Sequence, residues 1–384
     1  MPGFNKADFE ESFDTELEKL RERNLYRETK IHDPELINFS SNDYLGLAQR
    51  ALELKVDRRG ASASRITSGS YQAHKELEEF IADWKGTEAA LVFSSGYMAN
   101  LGTLSVILGS KDIVFCDEYS HACILDGIRL SGAHKYFYKH NDIEHLRELL
   151  EKHRDKFAKA LIVTEAVFSM DGDKAQLAQI NPLAKKFNCS LYIDEAHGTG
   201  VLGSNGAGLV EELSEQGLIK KSDVLVQMGT FSKAIGLEGG YIAGSKSLIE
   251  FLKNKSRTFI YSTAISPLLS GLILEHLTTV RYQPELRASL NAKIQLFQTH
   301  IAGLKYSNEN TAIFAIHMPS VEAALSATEE LKKQGYLVIA IRPPTVPSPR
   351  LRVCINANHE DSDIEKLAEL LKGDGIREMG NGLV

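Results

Sequence analysis

The sequence predicts an α/β fold with a large domain, a smaller C-terminal α/β domain and an N-terminal helical arm. Short apolar runs, such as residues 89–93 and 160–165, alternate with segments of helical periodicity. That alternation is typical of a mostly parallel sheet, here seven-stranded, that lies between layers of helices. Polar groups follow directly after several of these runs, as in residues 191–200 and 229–236. The length of 384 residues exceeds what one ordinary core accommodates.

The chain divides into three predicted regions. Apolar side chains recur at helical spacing among charges over residues 8–30, which predicts one helix in the arm. From residue 286 onward, helix-like segments alternate with strand-like runs at 311–318, 336–344 and 351–359. The predicted boundaries are 1–38 for the N-terminal arm, 39–285 for the large domain and 286–384 for the small domain.

Composition and charge indicate which classes of protein the chain could belong to. The chain is 43% hydrophobic and 25% charged, which is typical of a globular domain. A net charge of −7 argues against a nucleic-acid binder with a basic face, and no apolar run is long enough to span a membrane. The four cysteines form no C-x-x-C pair and fit a reducing compartment. We therefore expect a cytoplasmic protein with no metal site.

Two strand ends carry the most informative polar groups. Asp194 and His197 follow the apolar residues 191–193, and Thr230 and Lys233 follow a second apolar run. Ligands of open α/β sheets bind outside the carboxyl ends of the strands. These residues therefore predict a cofactor site in which Lys233 is the covalent anchor.

A possible anion site follows the apolar run 89–93. The turn Ser94-Ser95-Gly96-Tyr97 leads from this run into an apolar helix, a geometry that directs backbone N–H groups at an anion. Gly96 allows a close approach to the backbone, and the ring of Tyr97 could lie against a flat ligand. On this pattern alone, an ordinary loop that contains glycine is an equally good interpretation.

Several other polar residues have an ordinary structural interpretation beside the functional one. His121, in the first turn of a predicted helix, could cap that helix or stack on a ligand. Arg352 alternates with apolar residues, so it could form an ion pair at the core edge or bind a carboxylate in bidentate fashion. Arg27 could be a solvated side chain, and Asn42 could belong to a surface loop.

Two further motifs are weak evidence for ligand binding. Residues 198–203, GTGVLG, match G-x-G-x-x-G, but Asp-Glu-Ala-His separates them from the strand and no helix opens inside the motif. A nicotinamide-dependent oxidoreductase is therefore a disfavoured alternative. Asp171-Gly172-Asp173 lacks the spacing of a calcium loop and predicts a turn.

Pyridoxal 5′-phosphate (PLP) is one ligand that requires all of the candidate groups together. A lysine forms its Schiff base, and a buried carboxylate keeps its pyridine nitrogen protonated. A hydrogen-bond donor orients the phenolic oxygen, while backbone amides and hydroxyls bind the phosphate. Because all these groups arrive at strand ends of one predicted domain, the sequence predicts a PLP site.

Specific motifs then identify a family resemblance. FSSNDYLGL, SSGYMAN, SHA, TEAVFSMDGD, DEAHGTG, TFSKA, IYST and AIRPPTVP are spread over essentially the whole chain. With them the chain resembles the α-oxoamine synthase family of PLP enzymes, which have the aminotransferase-like fold of type I. AIRPPTVP favours the acyltransferase that condenses L-alanine with a pimeloyl thioester, with loss of CO₂, in biotin biosynthesis. The alternative is a sister synthase such as glycine C-acetyltransferase (2-amino-3-ketobutyrate CoA ligase).

The resemblance implies roles for individual residues. Lys233 would carry the Schiff base and take the α-proton, Asp194 would contact the pyridine nitrogen, His197 would contact the phenolic oxygen, and His121 would stack on the ring. The other implied cofactor contacts are Gly96, Tyr97 and Thr230 at the phosphate and Ser169 near the phenolic oxygen.

The resemblance also implies a homodimer with shared active sites. Ser262 and Thr263 would reach the phosphate bound by the partner subunit. Arg352 would bind the carboxylate of the amino acid. Arg27, Asn42 and Thr345 would line the side that receives the acyl donor, which is pimeloyl-CoA or a pimeloyl-carrier protein.

Overall fold

The structure is a computed structural model that describes residues 6–23, 25–51 and 58–373. Contacts divide the chain into two compact units, with the boundary between Ile37 and Asn38. The α-helices are α1 (Lys6–Glu22), α2 (Gln72–Lys85), α3 (Gly96–Ile107), α4 (Ala122–Ser131), α5 (Ile143–His153), α6 (Leu177–Lys186), α7 (Leu209–Glu215), α8 (Lys246–Lys255), α9 (Arg257–Ile260), α10 (Pro267–Tyr282), α11 (Glu285–His300), α12 (Val321–Lys333) and α13 (Asp361–Lys372). The strands are β1 (Ile37–Asn38), β2 (Ala89–Phe93), β3 (Ile113–Asp117), β4 (His134–Tyr138), β5 (Ala160–Glu165), β6 (Ser190–Asp194), β7 (Val224–Thr230), β8 (Gly240–Gly244), β9 (Tyr306–Ser307), β10 (Ile313–His317), β11 (Tyr336–Leu337), β12 (Ile339–Ile341) and β13 (Arg350–Cys354).

A seven-stranded sheet organises the second unit and confirms the predicted fold class. Its strand order is β2-β8-β7-β6-β5-β3-β4. β8 runs antiparallel to both of its neighbours, and the other pairings are parallel. All residues of β3 and β5 are buried, as expected for strands covered on both faces. The carboxyl ends of β2, β3, β5, β6 and β7 therefore meet at one edge.

The edge strand β4 does not follow from the apolar pattern of the sequence. Its residues, His134–Tyr138, are mostly exposed or half-buried, and only Tyr138 is fully buried. Among the described strands, β4 pairs with β3 alone, so one side of its backbone and much of its surface face away from the core. A search for apolar runs finds the central strands and misses such an edge strand.

The N-terminal helix is shorter than the sequence predicts. The prediction extended to about residue 30, whereas α1 ends at Glu22. The backbone N–H groups of Leu25 and Tyr26 both donate to the carbonyl of Leu20, at 2.7 and 3.1 Å. These bonds close the last turn and direct the chain out of the helix, although the apolar spacing continues to Leu25.

A smaller antiparallel sheet follows in the chain, with the order β12-β13-β10-β9. β13 is a central strand, and Arg352 pairs with Ala315 of β10 and with Ile339 of β12. The single strand predicted over 336–344 is divided into β11 and β12. All strands of the larger sheet precede residue 285 and all strands of the smaller sheet follow it, but the predicted domain boundary there stays a prediction.

The glycine-rich loop after β6 is built around two buried carboxylates. Glu195 accepts hydrogen bonds from the backbone N–H groups of Leu209 and Val210, at 3.0 and 2.9 Å. A Cβ atom at either Gly198 or Gly208 would lie 2.4 Å from Glu195 Oε2. These glycines therefore leave room for Glu195, and the loop packs behind Asp194 and His197.

Lys85 supplies the positive charge beside this loop. The lysine is 1% exposed, and its ammonium group donates to the carbonyl of Ala207. Burial lowers the pKa of Lys85, while the carboxylates of Glu195 and Glu211 oppose that shift. Glu211 in turn accepts from the N–H of Ala207 at 2.9 Å.

In the part of the chain that the structure describes, no helix is both long and apolar enough to cross a bilayer.

We predict that Lys85→Met lowers the free energy of unfolding by about 3 kcal/mol, because it removes a buried cation beside the buried carboxylate of Glu195. Equilibrium denaturation measures the change. Lys75→Met is the matched control on the same helix, since Lys75 is exposed and pairs with the exposed Glu79. We expect the control to change the free energy by less than about 0.5 kcal/mol. Equal effects of the two substitutions would contradict the assigned role of Lys85.

Candidate active site

A cavity of about 300 Å³ lies where the strands of the large sheet end. Its position agrees with the general location of ligand sites in open α/β sheets. The cavity brings together seven of the predicted site residues, namely Gly96, Tyr97, His121, Asp194, His197, Thr230 and Lys233. It is also lined by Asn100, Cys123, Glu165 and Ser232, which the sequence did not single out as site residues.

The start of α3 forms one wall of the cavity and suits a phosphate. Ser95 caps the helix by accepting from the N–H of Met98 at 3.2 Å. Gly96 opens the helix, and a Cβ atom there would lie 3.0 Å from Met228 Cε and 3.2 Å from Thr230 Oγ1. The missing side chain leaves the first-turn N–H groups accessible beside the Thr230 hydroxyl. Backbone amides with a hydroxyl are the groups that a phosphate requires.

A chain of buried hydrogen bonds orients Asp194. Its Oδ2 accepts from Asn100 Nδ2 at 2.7 Å, and its Oδ1 accepts from the backbone N–H of Ala196 at 2.8 Å. The hydroxyl of Tyr192 donates to Asn100 Oδ1 at 2.6 Å, which fixes the orientation of the amide. The carboxylate is therefore held in one position at the end of β6, as a partner for the pyridine nitrogen of PLP requires.

Lys233 shares the cavity with two carboxyl groups. Its side chain is half-buried and follows β7. Burial lowers the pKa of Lys233, and the negative charges of Asp194 and Glu165 partly oppose this effect. A lowered pKa increases the fraction of neutral amine, the form that attacks an aldehyde or accepts a proton.

Glu165 is a buried carboxyl group at the end of β5. It is 3% exposed, and its Oε1 accepts from the backbone N–H of His121 at 2.5 Å. Burial and the charge of Asp194 raise the pKa of Glu165 to about 8. In the sequence, Glu165 could have been recognised as a site residue from its place at the end of a strongly apolar run. That run served only to predict the strand.

His121 caps α4 through its ring. Nδ1 accepts from the backbone N–H of Cys123 at 3.2 Å and lies 2.9 Å from Cys123 Sγ. Burial and the charge of Lys233 lower the pKa of His121. Because Nδ1 accepts, this bonding pattern assigns the proton of the neutral ring to Nε2. The sequence left open whether His121 caps a helix or contacts a ligand. In the structure His121 caps α4 and also lines the cavity.

His197 connects the cavity to a second group of polar residues. Its Nδ1 lies 2.6 Å from the hydroxyl of Tyr44, which donates to Asn42 Oδ1 at 3.2 Å. Burial lowers the pKa of His197 well below its usual value, so the ring is neutral. The side chain of Arg352 donates to the same Asn42 oxygen at 2.9 Å.

Arg352 is held at the end of this connection. The side chain is 7% exposed, and its Nε donates to the carbonyl of Ser169 at 2.6 Å. A further guanidinium nitrogen lies 3.0 Å from Cys354 Sγ. The link from Arg352 through Asn42 and Tyr44 to His197 joins the two sheets at the site.

Lys233 and Ser232 also line a second cavity, of about 540 Å³, which therefore adjoins the first. Asn42 lies in the wall of this second cavity. Two adjoining cavities that share Lys233 can hold two reactants near this residue.

The remaining predicted site residues do not line the first cavity. Ser169 contributes its carbonyl to Arg352, and Thr263 forms an antiparallel bridge with Ser64 beside the half-buried Ser262. Thr345 is exposed, and its N–H donates to the carbonyl of Arg342 at 3.1 Å. Arg27 is exposed in the first unit. The roles assigned to these residues stay predictions.

His74 has a structural role that supports the IYST segment. Its Nδ1 accepts from the N–H of Tyr71 at 3.0 Å, and its Nε2 lies 2.7 Å from the carbonyl of Ile265. The ring is fully buried, so it joins the start of α2 to the segment that carries Ser262 and Thr263.

Comparisons with known proteins show which family the chain belongs to. The family model described as aminotransferase class I and II matches residues 34–371. A relative from Thermosynechococcus vestitus, named "Putative 8-amino-7-oxononanoate synthase", is 44% identical over 347 residues, which are 88% of each chain.

Solved structures agree over nearly the whole fold. Serine palmitoyltransferase from Sphingomonas wittichii has a TM-score of 0.85 and 27% identity, over 98% of this chain and 100% of that one. An 8-amino-7-oxononanoate synthase from Francisella tularensis has a TM-score of 0.77 and 29% identity, over 92% of this chain and 100% of that one. Other matching serine palmitoyltransferase structures contain PLP.

We predict that Glu165→Gln removes a pH dependence from the stability of the protein prepared without PLP. Above about pH 4.5 this carboxyl group ionises in the unfolded chain, whereas in the folded protein it keeps its proton up to about pH 8. Ionisation of the unfolded chain alone favours unfolding over this range. The wild type should therefore lose stability relative to Glu165→Gln as the pH rises from 4.5 to about 8. Thermal unfolding across this range measures the difference.

Glu148→Gln is the control for this prediction, because Glu148 is exposed on α5. Its melting temperature should follow that of the wild type at every pH. Parallel curves for the wild type and Glu165→Gln would show that Glu165 ionises normally.

Proposed function

The chain belongs to the class I and II aminotransferase family of PLP-dependent enzymes, and we propose that it condenses L-alanine with a pimeloyl thioester. The product would be 8-amino-7-oxononanoate, formed with loss of CO₂ in biotin biosynthesis. The observation that carries the proposal is the single cavity that unites Lys233, Asp194 and the start of α3. The 44% identity to the Thermosynechococcus vestitus relative and the AIRPPTVP motif support alanine and pimeloyl as substrates.

The described residues fit PLP group by group. The first turn of α3 and Thr230 would bind the phosphate, and the carboxylate of Asp194 would hold the pyridine nitrogen. His197 would meet the phenolic oxygen, His121 would cover the ring, and Lys233 would be the covalent anchor. Bound PLP supplies an electron sink for the bond changes at the α-carbon of the amino acid.

Lys233 is the proposed base for the α-proton of alanine. Lys233 lines both cavities, so it is accessible to an amino acid in one and to an acyl donor in the other. The lowered pKa keeps part of the amine neutral and able to accept a proton. The neutral rings of His121 and His197 add no competing positive charge beside it.

Arg352 is the proposed partner of the substrate carboxylate. Its guanidinium is already held by the Ser169 carbonyl and Asn42, so its orientation is set before substrate binds. Asn42, Thr345 and Arg27 are proposed for the acyl-donor side, and Asn42 lies in the wall of the second cavity.

A homodimer with shared sites is part of the proposal. Ser262 and Thr263 follow α9 at the surface of the described chain, where Thr263 is exposed. Hydroxyls at this position would complete the phosphate site of the partner subunit.

Product identification tests the proposed substrates. We predict that the purified, PLP-loaded protein forms 8-amino-7-oxononanoate from L-alanine and pimeloyl-CoA or a pimeloyl-carrier protein, as measured by mass spectrometry. Glycine and serine, with pimeloyl-CoA and acetyl-CoA, are the parallel reactions. Faster turnover with glycine and acetyl-CoA would replace this proposal with a sister synthase.

We predict that Lys233→Ala lowers turnover by at least about 10³-fold and abolishes the PLP absorbance that borohydride bleaches. The reason is that the variant lacks both the covalent anchor and the base. Lys253→Ala, at the surface of α8 beside Glu250, is the matched control and should retain both properties. Full turnover in Lys233→Ala would refute the assignment of Lys233.

A further inference from the structure

The loop of residues 166–175 connects β5 to α6 and touches both sheets. Its two arms pair with each other, since Val167 forms an antiparallel bridge with Lys174 and the N–H of Phe168 donates to the carbonyl of Asp173 at 3.0 Å. This pairing closes the base of the loop. The loop as a whole is held by further contacts, among them the bond from the N–H of Ala166 to the carbonyl of Asp194 at 2.8 Å and the bond from the Thr311 hydroxyl to the carbonyl of Gly172 at 2.7 Å. Side chains on each side add to these contacts.

On one side, the loop holds two arginines of β13. The carbonyl of Ser169 accepts from Arg352 Nε at 2.6 Å. The carboxylate of Asp171 forms an ion pair with Arg350, whose side chain is 3% exposed. The loop thus supplies one of the contacts that hold each guanidinium group, beside Asn42 for Arg352 and the carbonyl of Ser348 for Arg350. Arg352 is the group proposed to bind the substrate carboxylate.

On the other side, the large sheet holds the loop through His140. Nε2 of His140 lies 2.7 Å from Asp173 Oδ2, and its Nδ1 lies 3.0 Å from Oδ1 of Asp117 at the end of β3. Asn141 adds a second contact, since its Nδ2 donates to the same Asp173 oxygen at 2.7 Å. The imidazole therefore bridges a carboxylate of the sheet and a carboxylate of the loop.

The surroundings of His140 favour a doubly protonated ring in a fixed orientation. Burial lowers its pKa, but the hydrogen bonds with Asp117 and Asp173 outweigh burial and raise the pKa to about 10. The ring stacks on Tyr119 with centroids 4.4 Å apart and meets the edge of Phe168, also at 4.4 Å. Rotation of the ring would break both ion pairs and both aromatic contacts.

We propose that His140 is a positioning residue for the amino-acid substrate. It fixes the 166–175 loop to the large sheet through Asp173, and the loop in turn aims Arg352 at the site. His140 acts through this loop and not on the reacting atoms. The inference rests on the proposed function, in which Arg352 binds the carboxylate of the amino acid.

The test compares His140→Asn with the wild type as PLP-loaded enzymes. The Kd for L-alanine, read from the absorbance of bound PLP, and the KM for L-alanine should both rise about tenfold. The KM for pimeloyl-CoA and the PLP content should stay within about twofold, because no residue of the loop lines the first cavity. His134→Asn is the matched control, since that ring is exposed on β4 and packs on Phe157 outside the loop, and it should leave all four quantities unchanged.

Asp173→Asn tests the same connection while it leaves the His140–Asp117 pair in place. It should raise the Kd for L-alanine by a similar factor, and the double variant should show no further increase. Amide hydrogen exchange over residues 166–175 should become faster in both single variants, whether or not substrate is present. This measurement keeps the proposal testable if either variant is poorly active.

The outcomes separate the inference from the proposed function. A wild type that responds to none of alanine, glycine and serine would refute the proposed function, while hydrogen exchange would still report on the His140 connection. If the wild type responds and His140→Asn has the same Kd and KM for the amino acid, the inference is wrong. A variant with a lower melting temperature and fewer active molecules but an unchanged Kd would show a role in stability alone.

Discussion

The half-buried amine of Lys233, placed beside the carboxyl groups of Asp194 and Glu165, is the interaction on which the rest of the site depends. Burial favours the neutral amine, and the two acids oppose this effect. Glu165 itself resists ionisation because it is buried near Asp194. The sheet brings these three groups together because parallel strands end at the same edge, so the electrostatics of the site follow from the topology of the fold.

Polar groups buried behind the cavity keep that arrangement rigid. Tyr192 orients Asn100, which holds Asp194, and the glycine-rich loop wraps around Glu195 with Lys85 as its cation. Each of these groups has a hydrogen-bond partner, so burial does not leave an uncompensated charge next to the cofactor site. Gly198 and Gly208 allow the loop to pack around Glu195, because any side chain at either position would collide with that carboxylate.

The site is built from two sheets, and contacts across their boundary decide its shape. The large sheet supplies the groups suited to the cofactor, whereas β13 of the smaller sheet supplies Arg352. Asn42 and the 166–175 loop, which follows β5 of the large sheet, hold this arginine. In the proposed function Arg352 binds the substrate carboxylate, and this connection would align it with the cofactor, because misplacement of either group slows a reaction.

By itself, the sequence determined the fold class, the central strands, the turn before α3 and the membership of Lys233, Asp194 and His197 in one site. Apolar runs and strand ends encode these features locally. Only the tertiary structure decided the roles of Asn100, Glu165 and His140, since their partners lie 94, 44 and 33 residues away in the chain. The edge strand β4 was not predicted, because its pairing with β3 forms it without an apolar run. The early end of α1 was not predicted either, because backbone hydrogen bonds end the helix while the apolar spacing continues.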